Sequence, residues 1–498
     1  MIITGVMLTV VLMLVVGIAV SRKVDGDSAN YLVAGRSLGV PLVAVALTTA
    51  AVDSNATVGN TDLSSAYGFW AGASLALGLA ICLALSGLFL AKPMNRMGLY
   101  TLGDFFARRY DRRVEVTASL LMIFAFTILL AGNLVAMGFM VEYFTPLGYE
   151  LGVVLAVLLV LAYTIGGGLF SDAYTAVIQA VITVVATVAL FVWVATEYGL
   201  SLPVGMGPFD LGQLTDTSQG AAVNWATLVS LGIGDLVAID FMQRIFAART
   251  PEIAQRSCYL GAAITAGIGV VWSLIALSTT DALGLSLDDG PVMYQLLDGP
   301  APALIAVLSL SGIVAASFST ASGAILATSA VAVRNVLGVR RVVAQGQADP
   351  LLRWTRMAMV PVVVLGVYFA IRVSETGILL TLAFDLMLAC LIAPFILGLF
   401  WKGSTSMAAL VGCGVGLVVR VILLALTPTL YGVPNTLFFL DNDLVGTGFD
   451  GWATFVAFGA GAGAFVLTAL ATRSHDAEET GLRHADRFAE EPLPEPAA

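Results

Sequence analysis

Residues 46–62 read Ala-Leu-Thr-Thr-Ala-Ala-Val-Asp-Ser-Asn-Ala-Thr-Val-Gly-Asn-Thr-Asp. They lie inside a long apolar segment, about 40–66, with Asp53 near its midpoint. A carboxylate at membrane depth costs a few kcal/mol unless protein or water surrounds it. The Ser, Thr, Asn and Gly around Asp53 favour a local break in the helix. Such a break frees backbone carbonyls, which is tolerable at that depth where they line a cavity or hold an ion. The segment is therefore expected to be a discontinuous helix, interrupted around Val52–Thr57, at a binding site. An uninterrupted helix with Asp53 paired inside the bundle also fits the composition.

These residues need a scaffold, and the composition says which kind. The chain of 498 residues is 59% hydrophobic and 11% charged, with a net charge of −10. No single soluble core is that apolar, so an all-α polytopic membrane protein is expected. Thirteen spans are counted, at about 1–20, 40–66, 70–91, 116–142, 147–167, 173–198, 223–247, 258–280, 302–333, 355–372, 377–400, 405–427 and 452–471. Each is near or above the roughly 20 residues that cross hydrocarbon. The first has no preceding basic residue and no evident cleavage site, so it reads as a span and not a signal peptide. Cys82, Cys258, Cys390 and Cys413 lie in or at the ends of apolar segments without paired spacing, which suggests neither disulfide nor metal. Both histidines, His475 and His484, fall in the polar tail, which excludes histidine chemistry inside the bundle.

Basic residues orient the spans. With the N-terminus outside, 21 of the 23 Lys and Arg residues fall at cytoplasmic ends, leaving Arg372 and Arg420 as exceptions. The outer loops carry acids instead, among them Asp210, Asp281 and Asp450. An outside N-terminus and a cytoplasmic C-terminus in the cell membrane follow. Spans two to six and seven to eleven each make five helices, so the second set runs inverted, and both open on an interrupted helix. In span seven the interruption is Gly232-Ile233-Gly234-Asp235, followed by Asp240. The expected organisation is a first helix and loop (1–39), a first half of the core (40–200), an external loop (201–222), a second half (223–402), two further helices (403–473) and a disordered acidic tail (474–498).

Several stretches carry a resemblance. They are Tyr31 to Gly39 (YLVAGRSLG), Thr101 to Tyr110 (TLGDFFARRY), Tyr163 to Ser171 (YTIGGGLFS) with Gln179, Asp240 to Arg244 (DFMQR) with Ala247 to Arg249, and Pro394 with Gly398 to Lys402 (GLFWK). In order, over about residues 28–402, this set resembles the sodium/solute symporter family, in particular its sodium/proline and sodium/galactose branches. The resemblance implies a LeuT-like core of two inverted five-helix halves with extra helices, and coupled uptake of a small organic solute with sodium. It also implies a sodium site between spans two and nine. Matched by position, the ligands are the carbonyls of Ala51, Ser54 and Ala316 and the hydroxyls of Ser319 and Thr320. Asp53 matches an acid important for sodium in the sodium/proline branch.

Span nine on its own is rich in small and hydroxyl residues from Ser311 to Gly323, and Ala316, Ser319 and Thr320 share a helix face. Neutral oxygens suit a hard cation that must also be released. The same residues suit a close helix contact. One departure stands out. The family usually carries an Asp three residues before Gln179, where this chain has Ala176, and Asp172 is the nearby acid. Asp172 and Gln179 are the candidates for an inner gate.

The solute is expected beside the two broken helices. Candidate liners are Asn55, Thr57, Asn60 and Asp62 on span two, and Asp235 and Asp240 on span seven; Asp240 pairing with Gln243 or Arg244 is the other reading. Asp385 is a further acid at membrane depth. The excess of acids favours an amino acid or a related zwitterionic, neutral or cationic solute over a simple anion. A proton-coupled carrier is the nearest rival, because intramembrane acids also carry protons. A transporter-like sensor would need an output domain, and no nucleophile–base constellation marks an enzyme. Neither a cofactor nor a nucleic-acid partner is expected.

Overall fold

The computed structural model describes residues 2–341, 349–374 and 377–472. The acidic tail expected at 474–498 lies outside the described residues. Among them, nine helices are long and apolar enough to cross a membrane: Ile2–Val24, Phe69–Arg96, Arg112–Phe144, Tyr149–Glu197, Pro251–Leu283, Ala303–Val336, Pro350–Arg372, Ser406–Leu426 and Trp452–Thr472. Three bent pairs raise the count to as many as twelve. They are Val40–Ala51 with Asn55–Tyr67 (57°), Ala221–Val237 with Ile239–Ala247 (50°), and Ile378–Cys390 with Ile392–Phe400 (50°). Thirteen spans are thus not reached on length and composition. The difference lies in Tyr149–Glu197, one 49-residue helix where the sequence suggests two.

Burial sorts centre from periphery. In the apolar window of Arg112–Phe144, 78% of residues are buried, and in that of Ala303–Val336, 72%, against 22% for Ile2–Val24. Outer helices turn Leu8, Val15, Val181, Val364 and Leu467 outward. That arrangement suits a lipid solvent, in which backbone groups must pair within each helix.

Each break has a local cause. Helix Val40–Ala51 stops because Val52 leaves helical geometry (φ −96°, ψ 71°). The chain re-enters helix through a π turn at Asn55–Gly59. The second break passes through a 3-10 turn at Gly234–Val237 and an extended Ala238. Gly234 is required there, since a Cβ would meet the Phe384 carbonyl at 2.3 Å. This close approach locks the second broken helix against the third. In the third, Pro394 cannot donate to the carbonyl of Cys390 and clashes with it, so the helix ends at Cys390 and restarts at Ile392. Sequence periodicity gives one unbroken span there. Gly168 kinks the long helix (φ 52°, ψ −137°), and a Cβ there would meet the Tyr31 carbonyl at 2.4 Å.

The basic ends of the helices are tied by a buried polar cluster. Arg334 Nε donates to both carboxylate oxygens of Asp104, at 2.8 and 2.9 Å. Asn335 bridges Asp104 and Glu115 at 3.1 and 2.9 Å. Burial pushes the Asp104 carboxyl up, but Arg334 and Arg340 outweigh it and hold the group below the usual carboxylate range. The motif at Thr101–Tyr110 thereby clamps the ends of Arg112–Phe144 and Ala303–Val336.

Candidate functional site

The first break divides the site into two sides. On one, the helix ending at Ala51 leaves its last carbonyls without intrahelical donors. Ala303–Val331 lies against them and fills that need with hydroxyls. Thr320 Oγ1 donates to the Ala50 carbonyl at 3.0 Å, with the Thr49 and Ala316 carbonyls at 3.4 Å. Ser319 Oγ meets Thr49 Oγ1 at 3.1 Å. Tyr163 holds this face in place by donating to the Phe318 carbonyl at 2.8 Å. Carbonyls at the negative end of a helix, facing hydroxyls that can rotate from donor to acceptor, make an oxygen-rich, charge-neutral setting. A hard monovalent cation is the ligand such a setting accepts.

Asp53 occupies the other side. Its Oδ1 accepts from the Ala56 amide at 2.9 Å, capping the restarted helix. Its Oδ2 accepts from Asn55 Nδ2 at 2.9 Å and Asn133 Nδ2 at 2.8 Å. Thr57 Oγ1 donates to the Asp53 carbonyl at 2.8 Å. The Asn55 side-chain oxygen accepts from the Gly377 amide at 3.3 Å, and Ser54 Oγ donates to Asn133 Oδ1 at 3.2 Å. With 1% exposure, Asp53 is a buried carboxylate held by three donors; through Asn133 it fixes the break to Arg112–Phe144, while Asn55 ties the break to the start of the third broken helix. Asn133 was not singled out from sequence. Its one signal is a lone amide within a long apolar run.

The other candidates spread around the bundle. Asn60 is engaged by Pro251–Leu283: its Nδ2 donates to the Gly269 carbonyl at 3.0 Å, and its oxygen accepts from Ser273 at 2.6 Å. Asp62 accepts from the Val292 amide at 2.9 Å, capping the short helix Val292–Asp298. Asp235 sits in the second break, buried, with the Cys82 thiol as its side-chain partner. Asp240 caps the Phe241 amide and pairs with Arg244 Nη1 at 3.1 Å.

Asp172 accepts from Arg244 Nη2 at 2.9 Å and from Ser322 Oγ at 2.7 Å. Ser322 also reaches the Ser319 carbonyl at 3.0 Å. A continuous polar chain therefore runs from Ser319 through Ser322 and Asp172 to Arg244 and Asp240. Gln179 stands apart from it, with Nε2 against Met13 Sδ at 3.4 Å.

On the opposite side of the break, a cavity of about 550 Å³ is bordered by Leu63, Thr227, Thr381 and Tyr431. It also borders Ile378, next to the Gly377 amide that Asn55 receives, so its floor adjoins the Asp53 network.

Broken helices around buried oxygen donors define a membrane carrier, and comparison with known proteins names the kind. Residues 31–416 match the model of the sodium:solute symporter family, and the chain belongs to that family. It is 23% identical to the human high affinity choline transporter 1 over 444 residues, covering 80% of this chain and 72% of that protein. It is 24% identical to the sodium/proline symporter of Staphylococcus aureus (strain bovine RF122 / ET3-1), covering 83% and 84%. Among solved structures it is similar to a Na+-coupled sialic acid symporter in its substrate-bound outward-open state, with a TM-score of 0.71 at 18% identity over 94% of this chain and 98% of that one. The shared fold is that of the LeuT-like transporters. The chain is a multi-pass membrane transporter and not an enzyme.

Proposed function

We propose that the chain is a secondary active symporter that couples sodium entry to uptake of a small organic solute bearing a cationic nitrogen. One observation carries the reading: at the end of the helix that stops at Ala51, Thr320 faces the freed Ala50 carbonyl and Ser319 faces the Thr49 hydroxyl. Sodium is held by the carbonyls of Ala51, Ser54 and Ala316 and by those two hydroxyls, with Asp53 fixing the break beside it. The names of two relatives, a choline transporter and a proline symporter, support the solute class, as does the surplus of buried acids. Asp235 suits the solute cation best among the candidates, because its side-chain partner is the Cys82 thiol and no cationic side chain pairs with it among the described residues. Asn55 and Thr57 shape the site through Asp53, while Asn60 and Asp62 brace it from outside.

On this reading Tyr149–Glu197 crosses twice, bent at Gly168, giving thirteen crossings. Its 49 residues measure about 74 Å at 1.5 Å per residue, twice a bilayer core. The N-terminus then lies outside and the C-terminus in the cytoplasm. Residues 40–200 and 223–402 are the two core halves, joined by 201–222, with 1–39 before them and 403–473 after. The pair Asp172–Arg244 closes the inner route, and a leaving sodium ion meets Asp172 through Ser322. A membrane potential contributes about 2.3 kcal/mol per 100 mV for each sodium ion carried.

Uptake of labelled choline and L-proline into proteoliposomes tests this. Uptake of either driven by an inward sodium gradient is expected. Uptake that ignores sodium and follows a pH gradient would select proton coupling instead.

A further inference from the structure

The first break, the helix Arg112–Phe144 and the third broken helix meet at two amide side chains. Asn55 Nδ2 donates to Asp53 Oδ2 at 2.9 Å, and its oxygen accepts from the Gly377 amide at 3.3 Å. Asn133, on Arg112–Phe144, donates to the same carboxylate oxygen at 2.8 Å and accepts from Ser54 Oγ at 3.2 Å. Two amides thus share one carboxylate oxygen, and each offers its own oxygen to a different donor. A side-chain amide that donates to a carboxylate is fixed in orientation, because its acceptor oxygen cannot face the same anion. Ser54, Asn55 and Asn133 are all buried, so no water competes for these bonds.

Glycines make room for this junction. A Cβ at Gly132 would meet the Asn55 side-chain oxygen at 3.0 Å and the Leu379 Cβ at 3.2 Å. Gly377 adopts φ 80°, a conformation that favours glycine, and a Cβ there would meet the Gly59 Cα at 3.5 Å. The start of Ile378–Cys390 therefore rests on the π turn Asn55–Gly59. From Gly377 the path to the cavity is one helical turn. The Gly377 carbonyl accepts the Thr381 amide at 3.3 Å and the Thr381 hydroxyl at 3.2 Å. Ile378 and Thr381 both border the cavity. A single hydrogen bond, from the Gly377 amide to Asn55, thus joins the residues of the first break to the cavity wall.

We propose that Asn133 and Asn55 are positioning residues that carry the state of the ion site to the cavity wall, Asn133 as the fixed point and Asn55 as the moving one. The proposal rests on the sodium reading above. A cation that draws in the Ser54 carbonyl shifts Asn55, the next residue. Asn133 meanwhile holds the Asp53 carboxylate from a helix whose apolar window is 78% buried. Gly377 follows the Asn55 oxygen, and the first turn of Ile378–Cys390 follows Gly377. The ion site and the cavity are thereby linked although none of the proposed sodium ligands borders the cavity. Coupling of this kind is reciprocal, so a change at the cavity wall alters sodium affinity by the same factor.

A thiol placed at Ile378 of the full chain tests this. The four native cysteines are buried, so a small hydrophilic thiosulfonate reports on Ile378→Cys. In detergent solution, replacing N-methylglucamine by sodium is expected to change the labelling rate severalfold. Two further substitutions are made in that background. Asn133→Leu keeps the size of the side chain but neither hydrogen bond, and Gly132→Ala crowds the Asn55 oxygen. In both, the two labelling rates are expected to converge; where Asn133→Leu does not fold, Gly132→Ala alone carries the comparison. Thermal stabilisation by sodium, measured on the same preparations, separates the ion site from the coupling, and it is expected to persist in Gly132→Ala. Stabilisation of the Ile378→Cys protein by sodium without a change in labelling overturns this proposal alone. So does a sodium effect on labelling that is undiminished in the variants, or convergence that comes only with loss of the stabilisation. Absence of both stabilisation and labelling response in Ile378→Cys overturns the sodium reading as well.

Discussion

Thr320 donates its hydroxyl to the Ala50 carbonyl at 3.0 Å, within the last turn of the helix that stops at Ala51. A hydroxyl on one helix thus stands in for the intrahelical amide that the break takes away from another. Displacing that bond by a cation keeps every oxygen satisfied, since a hydroxyl can turn its lone pairs inward. On the proposed reading the same atoms close the site when empty and ligate when filled.

Asp53 is satisfied by three N–H donors, so its substitution acts through geometry as well as charge. Asp53→Asn leaves one acceptor oxygen and sets a new NH2 against the amides of Asn55 and Asn133. Stranding a buried donor costs about 1–3 kcal/mol. The expected result is severe loss of uptake with a lowered thermal midpoint. Uptake kinetics and a melting curve on the same preparation check it.

Arg244 holds two buried carboxylates, Asp172 and Asp240. Removing one partner of a buried pair costs about 3–5 kcal/mol, because a charge stays behind uncompensated. Arg244→Gln is therefore expected to be strongly destabilised. Asp172→Asn keeps the hydrogen-bonding shape and should be milder. A ranking of melting temperatures with Asp172→Asn below Arg244→Gln would contradict the network.

Asp104 gives a pH signature. Its carboxyl is held below the usual range by Arg334 and Arg340 against the opposing effect of burial. A depressed folded-state value contributes stability that is present above the unfolded-state value and is lost as pH falls through the folded one. Wild type should therefore lose stability on the acid side more steeply than Asp104→Asn. Thermal midpoints of both proteins from neutral pH downward test the difference in slope.

Gly234 separates two broken helices at a close approach in the core. Gly234→Ala places a Cβ 2.3 Å from the Phe384 carbonyl, a backbone atom that cannot swing aside. Overpacking of this kind costs about 1–3 kcal/mol. Transport is expected to fall more than stability, since the contact sets how the second and third broken helices sit against each other. Parallel uptake and melting measurements distinguish the two effects.

The first two breaks were legible because helix-poor residues crowd Val52–Thr57 and Gly232–Gly234 at mid-span. The third was written in Pro394, but an unbroken apolar run around it hides the interruption. Which way a buried polar side chain points depends on partners far away in the chain. Asn133 meeting Asp53, Asn60 meeting Ser273 and Asp385 meeting Arg420 are contacts that no spacing along one helix contains. Asp240 was legible as one of two alternatives, and pairing with Arg244 is the one observed. The motif at Thr101–Tyr110 was legible as a pattern, whereas its partners Arg334 and Asn335 come from the far end of another helix.

The central claim is that Ser319 and Thr320 ligate the coupling ion. The most direct measurement is the sodium dependence of solute uptake in proteoliposomes for wild type, Ser319→Ala and Thr320→Ala. Loss of a hydrogen-bond-strength contact to a charged group, about 1.5–3 kcal/mol, predicts apparent sodium affinity about ten- to a hundredfold weaker. The apparent solute affinity at saturating sodium should be nearly unchanged. Wild-type sodium dependence in both variants would contradict the account.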